Sequence, residues 1–130
     1  MKTILVVEDE TYLRDLYKQV LESEHFVVET AIDGEVALQL LQKGGYDLVL
    51  LDIVMPKIDG ITVMQKLQES PPQKKNGPIL FLTNSEEQTS IASGIALNAR
   101  GYLIKSDYNP GQLVSEVKRI LEEERVKTQV

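Results

Sequence analysis

The chain has 130 residues, of which 42% are hydrophobic and 26% are charged, and this composition is typical of one soluble globular domain. It has no cysteine and a formal net charge of −6, which excludes disulfides and thiolate metal sites and disfavours direct binding to nucleic-acid phosphates. No apolar run is long enough to span a membrane, and Glu8 interrupts the first run too early for a signal peptide, so we expect a cytoplasmic protein.

The first elements alternate between short apolar runs and amphipathic stretches. Ile4–Val7 is continuous and rich in β-branched residues, which predicts a strand buried on both faces. Apolar residues then recur at helical spacing and predict a first helix. Its apolar stripe consists of Leu13, Leu16, Tyr17, Val20 and Leu21. Phe26–Val28 predicts the second strand.

The same alternation continues through the middle of the chain. Asp33 is a suitable cap for a second helix, and Gly44 and Gly45 predict its end. Leu48–Leu51 predicts a third buried strand, and a loop with Pro56 and Asp59 follows it. A third, shorter helix comes next. The apolar stripe of the second helix consists of Val36, Ala37, Leu40 and Leu41, and that of the third consists of Ile61, Met64 and Leu67.

The next stretch predicts a surface loop, a strand and a helix. Three prolines between Ser70 and Pro78 indicate the loop, and Ile79–Leu82 predicts the fourth strand. Ser85 and Gln88 have the spacing of a capping box for a fourth helix. Its apolar stripe of Ile91, Ala92, Ile95 and Ala96 is narrow and interrupted by Gly94. We therefore expect this helix to be the least firmly packed.

The last elements are a short strand and a long helix. Asn98 is a plausible left-handed stop for the fourth helix, and Tyr102–Ile104 predicts the fifth strand. Asn109 and Pro110 predict the start of the last helix. It is expected to bury Leu113, Val114, Val117, Ile120 and Leu121. The charged segment from Glu122 is expected to fray.

Five strands alternating with five helices predict a single α/β domain whose parallel sheet carries helices on both faces. Polar residues follow four of the strands. They are Glu8 and Asp9, then Asp52, Thr83 and Lys105. Each alone has an ordinary interpretation as a cap, a turn residue, a strand end or a solvated charge. Ligands of open α/β sheets bind at the carboxyl ends of the strands, so together these residues predict one site.

The acids Glu8, Asp9 and Asp52 predict a crevice that must hold either a proton or a cation. One lysine cannot neutralise three carboxylates, and hard oxygen ligands without histidine or cysteine match Mg²⁺. The single histidine, His25, precedes the second strand at the opposite end of the sheet and is expected to lie on the surface. A carboxylate is then the available nucleophile, and it would form an aspartyl phosphate.

These residues resemble the signature of response regulator receiver domains of two-component systems, including chemotaxis-type receivers. Glu8 and Asp9, Asp52, Thr83 and Lys105 match it over roughly residues 3–121. Further matches are Met55 and Pro56, Asp59 and Gly60, and Tyr102. The resemblance implies a doubly wound, flavodoxin-like (βα)5 sheet with strand order 2-1-3-4-5. It places the receiver domain at residues 1–124, with 125–130 as a tail or the start of a linker.

The resemblance also implies the role of each site residue. Asp52 would accept a phosphoryl group from a histidine kinase or phosphorelay protein, and Lys105 and Thr83 would contact its oxygens. Mg²⁺ would be held by Asp9, Asp52 and the backbone carbonyl of Val54, with Glu8 helping through water. Such a domain is not a separate enzyme, although it assists its own phosphorylation and dephosphorylation.

The same resemblance implies a conformational switch, but it does not identify the downstream target of that switch. Thr83 and Tyr102 would shift and remodel the face formed by helix four, strand five and helix five. The alternative for Tyr102 is a core aromatic residue whose hydroxyl lies at the surface. The output would be a partner protein or a domain of a longer regulator, and neither direct nucleic-acid binding nor a membrane is expected.

Three positions depart from the receiver pattern. Ser106 stands where proline usually follows the lysine, and Asn84 stands where a small residue usually follows the threonine. Val54, two residues after Asp52, presents an apolar side chain that cannot orient an attacking water, which predicts a long-lived phosphoryl-aspartate. Ser85 is the other residue that could assist the water.

Three alternative functions remain. A Mg²⁺-dependent phosphatase would want an acid at the position of Val54. A flavodoxin-like cofactor module would want serine, threonine or glycine in the acidic loop at Glu8 and Asp9. A receiver-like interaction module that is never phosphorylated agrees with the departures at Asn84 and Ser106, but not with the intact acidic set.

Overall fold

The computed structural model describes residues 1–84 and 88–128. Five strands form one parallel sheet in the order β2-β1-β3-β4-β5, which confirms the predicted fold and strand order. The strands are β1 Thr3–Val7, β2 Val27–Ala31, β3 Leu48–Asp52, β4 Ile79–Thr83 and β5 Gly101–Ile104. The helices are α1 Thr11–Ser23, α2 Gly34–Lys43, α3 Gly60–Glu69, α4 Gln88–Ala96 and α5 Pro110–Thr128.

The sheet has a hydrophobic core on each face, because alternate side chains of a strand point to opposite sides. In β1, Leu5 and Val7 pack on the α2, α3 and α4 side, whereas Ile4 and Val6 pack on the α1 and α5 side. The central strand β3 is buried at every residue. Burial on both faces explains why the predicted strands read as continuous apolar runs.

Helix termini follow the local sequence. Asp33 Oδ1 accepts a hydrogen bond from the Val36 N–H at 2.9 Å, and Gly44 ends α2 with a φ of 77°. Asn109 Oδ1 accepts from the Gln112 N–H at 2.8 Å, which starts α5 as predicted. The backbone of Asn98, after the end of α4, is in the left-handed conformation, with a φ of 71°. The predicted capping box at Ser85 lies outside the described residues.

The position predicted for the second strand was wrong. It was expected at Phe26–Val28, but β2 runs from Val27 to Ala31 and pairs with β1 in the register Thr3↔Val27 to Val7↔Ala31. The strand lies at the edge of the sheet, where Glu29 is exposed and accepts a hydrogen bond from the Tyr46 hydroxyl at 2.7 Å. An edge strand tolerates such polar residues, so an apolar run did not mark its extent.

The end of the last helix also differs from the expectation. Helix α5 continues past Glu122 to Thr128, and Leu121 is only partly buried. Ion pairs along the helix surface support this extension. They join Arg119 to Glu116 and Glu123, Arg125 to Glu122, and Lys127 to Glu124. The domain boundary at residue 124 stays a prediction. None of the helices in the described ranges is long and apolar enough to cross a membrane.

Candidate functional site

The carboxyl ends of β1, β3 and β5 bring two acids and a lysine into contact. Asp52 is the last residue of β3, while Glu8 and Lys105 directly follow β1 and β5. The Lys105 ammonium lies 2.8 Å from Glu8 Oε1 and 2.9 Å from Asp52 Oδ2. Residues separated by most of the chain therefore form one ionic cluster, as the order of the parallel strands predicted.

The third acid, Asp9, lies at the open side of this cluster. Glu8, Asp9 and Asp52 each offer a carboxylate oxygen, and these oxygens all lie within 4.8 Å of one another. Glu8 and Asp52 are buried, with 0% and 4% of their surface exposed, whereas Asp9 is exposed. The cluster thus has two buried carboxylates at its base and one that solvent reaches.

Burial and crowding shift the proton equilibria of the cluster. Burial, followed by the repulsion from Glu8, raises the pKa of Asp52 from 3.8 to about 7, although the Lys105 ammonium acts in the opposite direction. The pKa of Lys105 is raised above its usual value of 10.5, because its contacts with Glu8 and Asp52 together outweigh the lowering by burial. The lysine stays charged, and Asp52 retains a proton more readily than an ordinary aspartate.

The donor set fits a hard divalent cation. Glu8 Oε1 is buried, and its partner among the described residues is the Lys105 ammonium at 2.8 Å. Two carboxylates about 4 Å apart repel by roughly 4 kcal/mol at an effective dielectric constant near 20. A single ammonium leaves this repulsion only partly compensated. Carboxylate oxygens in this number and spacing suit Mg²⁺.

An open cavity of about 660 Å³ lies over the acids. Its lining consists of Glu8, Asp9, Glu10, Leu13, Asp52, Val54, Asn84, Lys105 and Ser106. Val54 is 55% exposed, and the side chains of Asn84 and Ser106 are also exposed. The three residues that depart from the receiver pattern therefore all border the space above Asp52.

Thr83 is at the same edge of the sheet, but its hydroxyl is engaged elsewhere. Thr83 is buried, and its Oγ1 donates a hydrogen bond to the Asn84 carbonyl at 2.9 Å. It is not among the described residues that line the cavity. The structure thus brings Glu8, Asp9, Asp52 and Lys105 together and places Thr83 beside them in a purely local contact.

The remaining predicted residues lie around this centre. Tyr102 is 44% exposed and is not among the fully buried core residues. Lys105, Ser106 and Asp107 form a short 3₁₀ turn, and the peptide bond between Lys105 and Ser106 is trans. His25 is exposed and precedes β2, at the amino end of the strand, as predicted. Ser85 lies outside the described residues.

One residue of the site was missed by the sequence patterns. Arg14 on α1 reaches back over the acidic turn, and its guanidinium donates to the backbone carbonyls of Glu8 and Asp9. The sequence feature that could have indicated this contact is a basic residue on the first helix, shortly after an acidic pair. Such a residue is common on helix surfaces, so the signal is weak.

Comparison with known proteins yields one family. The family model of the response regulator receiver domain matches residues 4–118. The transcriptional regulatory protein SrrA of Staphylococcus aureus is 37% identical over 118 residues, which are 91% of this chain and 47% of SrrA. The chain therefore spans about half the length of the curated relatives it matches.

Solved structures agree with this family. The chemotaxis response regulator CheY4 of Vibrio cholerae is 32% identical with a TM-score of 0.81, and the match covers 92% of this chain and 98% of CheY4. The response regulator TrrA of Thermotoga maritima, solved in complex with Mg²⁺–BeF, is 40% identical with a TM-score of 0.76. That match covers 92% of this chain and 99% of TrrA.

Proposed function

Because the chain belongs to the response regulator receiver domain family of two-component systems, we propose that it is a switch whose phosphoryl acceptor is Asp52. The observation that carries this proposal is the buried Asp52 carboxylate, held 2.9 Å from the Lys105 ammonium beside two further carboxylates. The donor is a histidine kinase or a phosphotransfer protein, the partners expected of this family.

Asp52 acts as the nucleophile in this reaction. Its carboxylate attacks the phosphorus of a phosphohistidine, the bond from phosphorus to the donor's imidazole nitrogen breaks, and an aspartyl phosphate forms. Lys105 contacts the phosphoryl oxygens, since its ammonium already lies beside Asp52 Oδ2. Burial of Asp52 limits the access of water to the reacting carboxylate.

Asp9, Asp52 and the Val54 carbonyl would hold Mg²⁺, with Glu8 assisting through water. The bound cation supplies positive charge that offsets the repulsion between these acids and an incoming phosphoryl group. The close spacing of the three carboxylates supports this assignment, as does the complex of the related TrrA with Mg²⁺–BeF.

Thr83 and Tyr102 transmit the change to the face formed by α4, β5 and α5. Among the residues that the structure describes, the Thr83 hydroxyl donates only to the neighbouring Asn84 carbonyl, a local contact that a phosphoryl oxygen can replace. Tyr102 is 44% exposed on β5, so its ring is not fixed in the buried core and can change its orientation. Ile91 and Gly94 are the buried residues among positions 89–96, which supports α4 as the element that moves.

The switch would act through the α4–β5–α5 face. SrrA bears the name of a transcriptional regulatory protein and is about twice as long as the matched region. We therefore propose that the α4–β5–α5 face contacts either a further domain of a longer regulator or a separate partner protein. The domain assists its own phosphorylation and dephosphorylation but turns over no other substrate.

Intact mass spectrometry tests the proposal. The protein is incubated with acetyl phosphate and Mg²⁺, and a gain of one phosphate is expected in the wild type but not in Asp52→Ala. Asp15→Ala, which removes an exposed acid of α1, is the matched control and is expected to gain the phosphate. If the wild type gains none with any donor, the proposal fails, and an interaction module that is never phosphorylated becomes the better assignment.

A further inference from the structure

The acidic turn between β1 and α1 is clamped by an arginine from the helix that follows it. Arg14 Nη1 lies 2.9 Å from the Glu8 carbonyl oxygen and 3.3 Å from the Asp9 carbonyl oxygen. Arg14 Nη2 lies 3.4 Å from Thr11 Oγ1. The side chain is half-buried, and its guanidinium contacts the backbone of both Glu8 and Asp9, two residues that line the cavity.

The rest of the turn is held unevenly. The Glu8 N–H donates to the Ala31 carbonyl at 3.2 Å, and Glu8 Oε2 accepts from the Glu10 N–H at 3.1 Å. Glu10 is the N-cap of α1, yet its side chain makes no capping hydrogen bond. Among the described residues, Arg14 is the only one whose side chain donates to the backbone of Asp9. The more exposed of the two acids thus depends most on the clamp.

We infer that Arg14 is a positioning residue, which fixes the backbone of Glu8 and Asp9 and thereby sets where their carboxylates meet a divalent cation. The inference rests on the proposed function, because it assigns Mg²⁺ to this acidic set. A guanidinium suits the task, since its planar group is rigid and lets Nη1 donate to both carbonyls while Nη2 contacts the Thr11 hydroxyl. A lysine ammonium at the end of a flexible chain is less well pre-organised. Residues that orient metal ligands without touching the metal contribute strongly to metal affinity.

Isothermal titration with MgCl₂, in the absence of any phosphoryl donor, measures the effect directly. Arg14→Met removes the clamp and is expected to weaken Mg²⁺ binding about 10-fold, the usual scale for a lost orienting partner. Arg14→Lys restores one donor and the charge, and it is expected to recover part of the affinity, to about 3-fold below wild type. Lys18→Met is the matched control, because it removes an exposed cation from the same helix. It is expected to stay within about 2-fold of wild type, since exposed charges at a distance are screened.

Phosphorylation by acetyl phosphate at varied Mg²⁺ provides the second measurement. In Arg14→Met the half-saturating Mg²⁺ concentration should rise by the same factor as the dissociation constant. The maximal rate at saturating Mg²⁺ should stay within about 2-fold of wild type, because Asp52 and Lys105 are untouched. A purely structural role would instead lower the Mg²⁺-free melting temperature and leave the dissociation constant unchanged.

Each outcome decides the inference. Wild-type or higher Mg²⁺ affinity in Arg14→Met overturns it, and so does an equal loss in Lys18→Met. Removing a distant cation should favour Mg²⁺ binding, so such a loss would show a general disturbance of α1 rather than the loss of the clamp. If Arg14→Met does not fold, Arg14→Lys decides: reduced affinity supports the inference and wild-type affinity overturns it. A wild-type protein that binds no Mg²⁺ contradicts the proposed function itself, which distinguishes the two failures.

Discussion

Asp52 is a buried acid whose charged form is disfavoured by the fold. Its folded pKa of about 7 exceeds its ordinary value of 3.8, so between these pH values the folded state binds a proton that the unfolded state releases. The contribution of Asp52 to the free energy of unfolding therefore falls as the pH rises from about 4 to about 7. Without Mg²⁺ at pH 8, Asp52→Asn should be more stable than wild type by on the order of 1–4 kcal/mol. Urea unfolding in the presence of EDTA measures the difference.

The pH dependence distinguishes this effect from a change in packing. The advantage of Asp52→Asn should shrink as the pH is lowered from 7 toward 4, because the folded wild-type protein then gains the proton that makes Asp52 neutral. Asp15→Asn, which changes an exposed acid, should show almost no difference at either pH. An advantage that stays constant between pH 5 and pH 8 would contradict the raised pKa.

The apolar side chain of Val54 predicts a long lifetime for the phosphorylated state. It is 55% exposed beside Asp52 and borders the cavity, but it has no group that can hold a water for attack. Val54→Asn adds an amide there, and one further hydrogen bond of about 1 kcal/mol should speed hydrolysis about 5- to 10-fold. A dephosphorylation time course measures the lifetime. Val54→Leu is the control and should keep the wild-type rate, whereas an unchanged rate in Val54→Asn would make the hypothesis wrong.

At the residue scale the cluster was predictable and its clamp was not. The convergence of Glu8, Asp52 and Lys105 follows from parallel strands, whose carboxyl ends share one edge, and the distances confirm it. Their chemical roles stay predictions. The reach of Arg14 depends on the path of a turn, which no residue pattern encodes. The Thr83 hydroxyl bond likewise depends on the backbone direction at Asn84.

Helix α4 approaches β4 more closely than an alanine would allow. A Cβ atom at Gly94 would lie 2.1 Å from Phe81 Cε2, so the glycine and the large aromatic ring are matched to each other. Gly94→Ala should therefore destabilise the protein by about 1–3 kcal/mol, although alanine favours helices by about 1 kcal/mol. In the double variant Phe81→Leu and Gly94→Ala, the two costs should be less than additive by at least about 1 kcal/mol, as measured in urea.

Another helical glycine provides the control for this pair. A Cβ atom at Gly111 in α5 would meet its nearest neighbour, Asn109 Oδ1, at 3.5 Å, which is ordinary contact. Gly111→Ala should be neutral or stabilising by up to about 1 kcal/mol. Additive costs for Phe81→Leu and Gly94→Ala would show that the two residues do not constrain each other.

At the element scale the sequence predicted the number and type of elements, but not every boundary. Caps at Asp33 and Asn109 were predictable because a side-chain oxygen at the first turn is a local signal. The extent of β2 was not, since its pairing with β1 rather than its own pattern sets the ends. The extension of α5 to Thr128 depends on ion pairs between successive turns, which a search for apolar stripes does not detect.

At the scale of the whole molecule, the fold concentrates negative charge at one edge of the sheet. The chain as a whole carries a net charge of −6, and three of its acids meet within 4.8 Å with one lysine between them. The repulsion among these carboxylates opposes folding. A cation that binds only the folded site should therefore stabilise the entire domain. This linkage gives a prediction that needs no phosphoryl donor.

Mg²⁺ should raise the stability of the wild-type domain in proportion to its occupancy. At a free concentration ten times the dissociation constant, the expected gain is about 1.4 kcal/mol, which corresponds to a rise of several degrees in the melting temperature. Thermal unfolding at increasing MgCl₂ measures it, with NaCl at equal ionic strength to separate binding from screening. Asp9→Asn removes one carboxylate from the site and should lose most of the gain, because fewer oxygens remain to hold the cation.

Asp15→Asn provides the matched control for this experiment. It removes the same charge from an exposed position of α1, outside the acidic cluster, and should respond to Mg²⁺ like the wild type. Equal responses of Asp9→Asn and the wild type would place the cation elsewhere on the acidic surface. A second contrary result would be that NaCl raises the melting temperature of the wild type as much as MgCl₂ does at equal ionic strength. That result would show that salt only screens the net charge, and it would contradict specific Mg²⁺ binding by the acidic cluster.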